Sequence, residues 1–198
     1  MRALNPFLIF VFIFGLTACA GVGVFEQSDP RIKLSDASYL FDHENRPLIA
    51  ERLIREAITI FEEKNDQLGL GEAYLNYGFF FRSPSIEKWQ TVYKRDGFLD
   101  KTASYDLRYE KSIEYFEKAR AIFTENKRFD SLTNVNHNLG FTYELVGNRQ
   151  AACLAYERAI ESNHENLKQN PGAKVILPPG VATYEDYLAP HKKRAGCK

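Results

Sequence analysis

The side chains with the most chemistry to offer are four histidines, three cysteines and a few adjacent carboxylates. His43, His137, His164 and His191 are scattered, and no H-x-x-E-H or C-x-x-C spacing brings two ligands onto one face for a metal ion. Asp42-His43-Glu44 sets three ligand types in a row, but consecutive residues point in different directions and do not converge on one ion. No G-x-S-x-G elbow and no phosphate-cradling glycine loop occurs. The pair Glu62-Glu63 lies among Lys64 and Asp66 and reads as a solvated helix face. No catalytic residue, metal site or cofactor is expected, and the chain does not read as an enzyme. Two of the cysteines, Cys153 and Cys197, allow alternatives. In an oxidising compartment they can pair and close a loop of about 45 residues, worth about 4 kcal/mol by chain entropy. Otherwise Cys153 is a buried free thiol and Cys197 lies in a disordered tail.

The frame that must hold these groups is an ordinary globular one. The chain has 198 residues, with 26 basic and 26 acidic side chains and a formal net charge of zero. That length fits one domain with appendages. A content of 44% hydrophobic residues is enough to offset the entropy of ordering, which excludes intrinsic disorder. A neutral balance provides no general attraction for phosphate backbones, so nucleic acid is not an expected partner.

The first residues read as an address. Arg2 precedes an apolar run, Pro6 to Leu16, of 11 residues. That is about half of the roughly 20 needed to cross a bilayer as a helix. A charged start, a short apolar middle and small residues behind it predict a secretory signal peptide over residues 1–18. Leu16-Thr17-Ala18-Cys19 resembles the bacterial lipobox. The resemblance implies that the peptide is cut before Cys19, that Cys19 carries a diacylglycerol thioether, and that two or three acyl chains anchor the protein to the membrane. Each buried methylene adds about 0.8 kcal/mol to such an anchor. Ala20, rather than Asp, follows the cysteine. By the sorting rule of enterobacteria-like lipoproteins this implies the outer membrane of a bacterial cell envelope, with the domain facing the periplasm. Residues 19–34 are then the lipidated cysteine and a tether, small and aperiodic from Ala20 through Ser28-Asp29-Pro30.

The remainder is helical in period and repeats itself. At an offset of 62 positions, Ala57, Ile60 and Phe61 fall on Ala119, Ile122 and Phe123. In the same frame Asn76, Gly78, Phe79 and Phe81 fall on Asn138, Gly140, Phe141 and Tyr143, with no gap. The second copy, Leu139-Gly140-x-x-Tyr143-x-x-x-Gly147 followed by Ala152-x-x-x-Tyr156-x-x-Ala159, is similar to a tetratricopeptide repeat. His164 stands where that family often has Pro, and Asn136 where it often has Trp. The spacing from Ala119 to Ala159 is 40 positions rather than the common 34. The resemblance implies an all-α solenoid of about three helical hairpins, in which small residues such as Gly140 and Ala152 let two helices cross closely.

Three hairpins are expected within residues 35–168. The first has a short helix near Ser35 to Phe41 and a second from Pro47, where a missing N–H costs nothing. The second pairs Leu70 to Arg82 with Leu107 to Glu125, and the third pairs Ser131 to Val146 with Arg149 to Lys168. An insert over residues 83–106 interrupts the second. It carries a helical stretch from Ile86 to Tyr93 with Trp89 and Tyr93 on one face, either capping the side of the fold or forming part of a partner site. In the C-terminal extension, residues 169–198, Thr183 and Asp186 form a capping-box pattern ahead of a short capping helix.

In that family the first helix of each pair lines a concave groove. The resemblance puts Glu72, Leu75, Asn76, Phe79 and Arg82 on it from the second repeat, and Asn134, His137, Asn138, Phe141 and Glu144 from the third. Asn76 and Asn138 are equivalent, and an amide there can hydrogen-bond the backbone of a bound peptide without selecting charge. The asparagines can equally satisfy each other or water. The function expected is that of a lipid-anchored scaffold holding a segment of another envelope protein. A receptor for a free peptide or cell-wall fragment is the alternative.

Overall fold

The computed structural model describes residues 28–198. Among the described residues there are nine α-helices and no strand, so the expected all-α class holds. In order they are α1 (Pro30–Asp42), α2 (Pro47–Glu63), α3 (Gln67–Phe81), α4 (Pro84–Lys88), α5 (Gln90–Asp96), α6 (Arg108–Glu125), α7 (Phe129–Leu145), α8 (Arg149–Gln169) and α9 (Tyr184–Ala195). The expected signal peptide, Cys19 and the first part of the tether lie outside the described residues.

Each long helix packs against the next one in the chain, and α3 passes over the insert to pack on α6. Three of the turns are built alike. Asn65, Lys127 and Gly147 adopt left-handed φ of 53°, 53° and 74°. The following amides, of Asp66, Arg128 and Asn148, reach back five residues to the carbonyls of Phe61, Phe123 and Tyr143 at 3.0, 2.9 and 2.9 Å. This satisfies one of the last carbonyls of each helix and reverses the chain.

The internal repeat in the sequence is a repeat of one packing contact. A Cβ on Gly78 would lie 2.5 Å from the ring of Phe116, and a Cβ on Gly140 would lie inside the contact radius of the Tyr156 ring. Glycine therefore lets an aromatic ring from the partner helix lie directly on the backbone of α3 and again on that of α7. Ser112 deepens the first crossing by donating from Oγ to the carbonyl of Gly78 at 2.7 Å. Ala152, fully buried, fills the matching place in the second.

Two expected boundaries are corrected. Residues 30–34, expected in the tether, are helical, because α1 starts at Pro30, five residues before Ser35. Asp29 caps it by accepting from the Arg31 amide at 2.8 Å, and Pro30 occupies the first turn. The stretch expected as one helix from Ile86 to Tyr93 is two, broken at Trp89, whose φ and ψ of −102° and 18° leave the helical region. The break lets the Trp89 indole donate to the carbonyl of Asn45 at 3.0 Å, in the turn between α1 and α2. Tyr93 is 1% exposed in an aromatic core with Phe80, Phe81 and Phe98, so this face of the insert packs inward.

The insert is tied down by a buried carboxylate. Glu51 of α2, 1% exposed, accepts from the Tyr77 hydroxyl and the Leu99 amide, both at 2.8 Å. Burial pushes its pKa up to about 7 against the pull of these donors. Nearby Asp100 accepts from Tyr115 at 2.8 Å and from Thr102. Burial pushes the Asp100 carboxyl up, but the bonds from Thr102 and Tyr115 outweigh it and hold the pKa below its ordinary value.

At the other end, α9 carries the expected capping box, with Thr183 and Asp186 exchanging bonds. Tyr184 and Leu188 are buried against Ala152, Tyr156 and Ala159. Cys153 and Cys197 form a disulfide that fastens the end of the chain to α8, which settles the alternative left open by the sequence.

Candidate binding face on the third and seventh helices

The residues expected to line a groove lie on α3 and α7, where the structure divides them into three groups. The first group ties α3 to α1. Glu72 accepts from Arg31 Nε at 3.0 Å. Asn76 donates from Nδ2 to the Leu34 carbonyl at 3.2 Å and to Ser38 Oγ at 2.6 Å. Leu75 packs partly buried on the core shared by α6 and α7.

The second group is covered by α9. His137 stands with its ring centroid 5.4 Å from those of Tyr187 and His191, both edge-on. Burial, helped by the nearby His191 and Arg82, pushes its pKa down to about 4. Glu144 accepts from Arg194 Nε at 2.6 Å and from the Tyr156 hydroxyl. These two residues of the expected groove are therefore held under the C-terminal helix.

The third group surrounds Arg82. Its guanidinium crosses from the end of α3 to α7, donating from Nη1 to the Asn138 carbonyl at 3.2 Å and to Thr142 Oγ1 at 3.1 Å, and from Nη2 to Asn138 Oδ1. The rings of Phe79, Phe116 and Phe141 lie 5.2, 5.4 and 5.0 Å from its central carbon, within cation–π range. Asn138 is locked from its other side as well, since its Nδ2 donates to Asn134 Oδ1 at 2.5 Å and to the Asn134 carbonyl at 2.8 Å. Burial pulls the pKa of Arg82 down to about 10, opposed by the through-space pull of Tyr156 and Asp42. Among the described residues no carboxylate pairs with it directly. A mostly buried guanidinium held by carbonyl oxygens, a hydroxyl and ring faces, with Asp42 acting on it only through space, keeps a charge with no contacting counter-ion.

Asn76 and Asn138 keep the equivalence their spacing implies but do different work from that expected. Each bonds the first helix of the preceding pair, Asn76 to α1 and Asn138 to Arg82 of α3. Asn76 Nδ2 is held by α1 and Asn138 Nδ2 by Asn134; Asn138 Oδ1 accepts from Arg82, while Asn76 Oδ1 is buried and accepts from no donor among the described residues. Thr142 and Phe116, which complete the setting of Arg82, are absent from the expected set. For Phe116 a signal exists, since it sits 40 positions before Tyr156, the ring that meets the other glycine. Among the described residues no group of three His, Cys, Asp or Glu could hold a metal ion, and no helix is long and apolar enough to cross a membrane.

These features define an all-helical protein of antiparallel helix pairs, in which one glycine–aromatic crossing occurs twice and an aromatic-lined arginine joins the two copies. Comparison with protein-family models, with curated proteins and with solved structures finds no match to this chain.

Proposed function

We propose that this chain is a tetratricopeptide-like scaffold of the bacterial envelope, anchored through Cys19 in the outer membrane and facing the periplasm. The face made by α3 and α7 acts as its groove and holds a segment of another envelope protein, so the domain assembles or regulates a larger machine. One observation carries the reading: the Arg82 charge, set among Phe79, Phe116 and Phe141 with no carboxylate of its own. A partner segment that brings an acidic side chain and an apolar neighbour would answer both the charge and the rings. Charge-assisted bonds to arginine are about twice as strong as neutral ones. The disulfide suits an oxidising compartment.

The test is photocrosslinking in living cells from a reactive residue placed at Phe79 or Phe141. One protein should label at both positions, and Arg82→Gln should reduce that label at least about tenfold, the effect of losing one charge-assisted bond. Gln can still donate to Asn138, which keeps the helix contact. Equal labelling with Arg82→Gln, or no protein labelled at either position, refutes the proposal.

A further inference from the structure

Asn136 leaves α7 two residues before Asn138, about 200° around the helix, and points to the side away from Arg82. It forms the floor of a cleft of about 600 Å³ walled by α6 and α8. Asn136 is 3% exposed. Its Nδ2 donates to Ser162 Oγ at 3.1 Å, and Ser162 Oγ gives its own hydrogen to the Arg158 carbonyl at 2.7 Å. The serine can therefore only accept from the asparagine, which fixes the orientation of the amide. Asn136 Oδ1 is left as a buried acceptor with no donor. Buried polar groups are nearly always satisfied, so an orphan in the lining of a cleft is a place where a donor from outside the chain, a ligand or a water, would be taken up.

The walls have matching free valences. Arg120 is neutralised by Glu117 at 2.5 Å. Arg158, on α8, makes no ion pair among the described residues, nor does Glu161 one turn further along. Glu125, on the α6 wall, is likewise unpaired among them. The cleft thus offers one free cation, two free carboxylates and one neutral acceptor between them. A phosphate-bearing ligand would meet more acid than base. A neutral apolar ligand would leave every one of these groups unanswered.

We infer that this cleft is a second binding site, for a short peptide with both termini free. The peptide carboxylate pairs with Arg158, the terminal ammonium with Glu161 or Glu125, and a peptide N–H donates to Asn136 Oδ1. The site shares no residue with the face around Arg82, so its failure would leave the groove reading standing, and the reverse also holds.

The experiment is NMR titration of the isotope-labelled protein with trialanine, with N-acetyl-trialanine and with trialanine amide. Trialanine should shift the amides of Leu132, Asn136 and Ser162 saturably, and each capped form should bind at least about tenfold more weakly. In Arg158→Gln, a substitution at the cleft edge, trialanine and its amide should bind equally. In Glu125→Gln plus Glu161→Gln the penalty for N-acetylation should vanish. No shift at these amides with roughly 10 mM trialanine, or equal binding of all three peptides to the unaltered protein, overturns the inference. So does an Arg158→Gln variant that still prefers the free carboxylate.

Discussion

Replacing Glu51 by Gln isolates one charge whose effect on stability has a definite sign. In the unfolded chain this carboxyl titrates near its ordinary 4.5, while in the fold burial raises it to about 7. Below pH 4.5 both states hold the proton and the side chain costs nothing. As pH rises from 4.5 to 7 the unfolded state ionises first, so the native state loses stability relative to it. A rise from 4.5 to about 7 amounts to about 3 kcal/mol at most. Wild-type stability alone hides this, because His137 acts in the opposite direction over nearly the same window. Its pKa falls from 6.5 to about 4 on folding, so its contribution is full above 6.5 and lost as pH drops through 4. The carboxylates whose pKa is lowered in the fold, such as Asp100, Glu114 and Glu144, act in the same direction as the histidine, from their ordinary 3.8 and 4.5 downward. The opposing contributions of Glu51 and His137 nearly cancel between about pH 5 and 6.5. Subtracting the variant from the wild type removes the contribution of the histidine, since the two sites share no partner. Gln keeps an oxygen to accept from Tyr77 and the Leu99 amide. Urea unfolding of both proteins at half-unit steps from about pH 4.5 to 8 should show the difference, wild type minus variant, falling by about 3 kcal/mol toward the variant. A difference independent of pH, or one that grows in favour of the wild type, refutes the claim that Glu51 is held against its ionisation.

Three further outcomes follow from the packing. Gly140→Ala should destabilise by about 1–3 kcal/mol, because the new methyl meets the buried Tyr156 ring, and Gly78→Ala should do the same against Phe116; thermal unfolding measures both, and an unchanged midpoint would deny the close crossing. Reducing the Cys153–Cys197 bond, or Cys153→Ser, should cost up to about 4 kcal/mol and raise hydrogen exchange first in α9, as mass spectrometry of labelled peptides would show. Lys127→Gly should stabilise by about 1 kcal/mol, since lysine there holds φ at 53°; Gly147→Ala, at φ 74°, should lose a similar amount, and chemical denaturation compares the two.

The fold was legible wherever the pattern was long and periodic. The offset that aligns Ala57 with Ala119 and Gly78 with Gly140 places the helix pairs correctly, because the same contact has to be made twice and the same residue types make it. Boundaries were less legible where a local signal competed with composition. Ser28-Asp29-Pro30 reads as a linker by its small and polar residues, yet Asp before Pro is also a helix start, and the buried face of Lys33, Leu34 and Ala37 decides for the helix. The insert shows a different failure. Ile86 to Tyr93 has helical spacing throughout, but the chain breaks at Trp89 because the indole gains a hydrogen bond to Asn45 that lies 44 residues away in sequence. No window of local sequence contains that partner.

The binding face was the least legible part. A repeated asparagine is a sound signal that two positions are equivalent. It does not say what the amide faces, and the answer depends on which helix precedes it in space. At Asn76 that helix is α1, expected to begin only near Ser35, so the carbonyl of Leu34 falls in what reads as tether and does not suggest itself as a partner. At Asn138 it is α3, whose C-cap Arg82 delivers a guanidinium to the amide oxygen. With both Nδ2 groups consumed, what this face leaves over is the Arg82 cation and the buried Asn76 Oδ1, which accepts from no donor among the described residues. A guanidinium does select charge, so under the function proposed above the bound segment would be chosen by its acidity, where an open asparagine would accept any backbone.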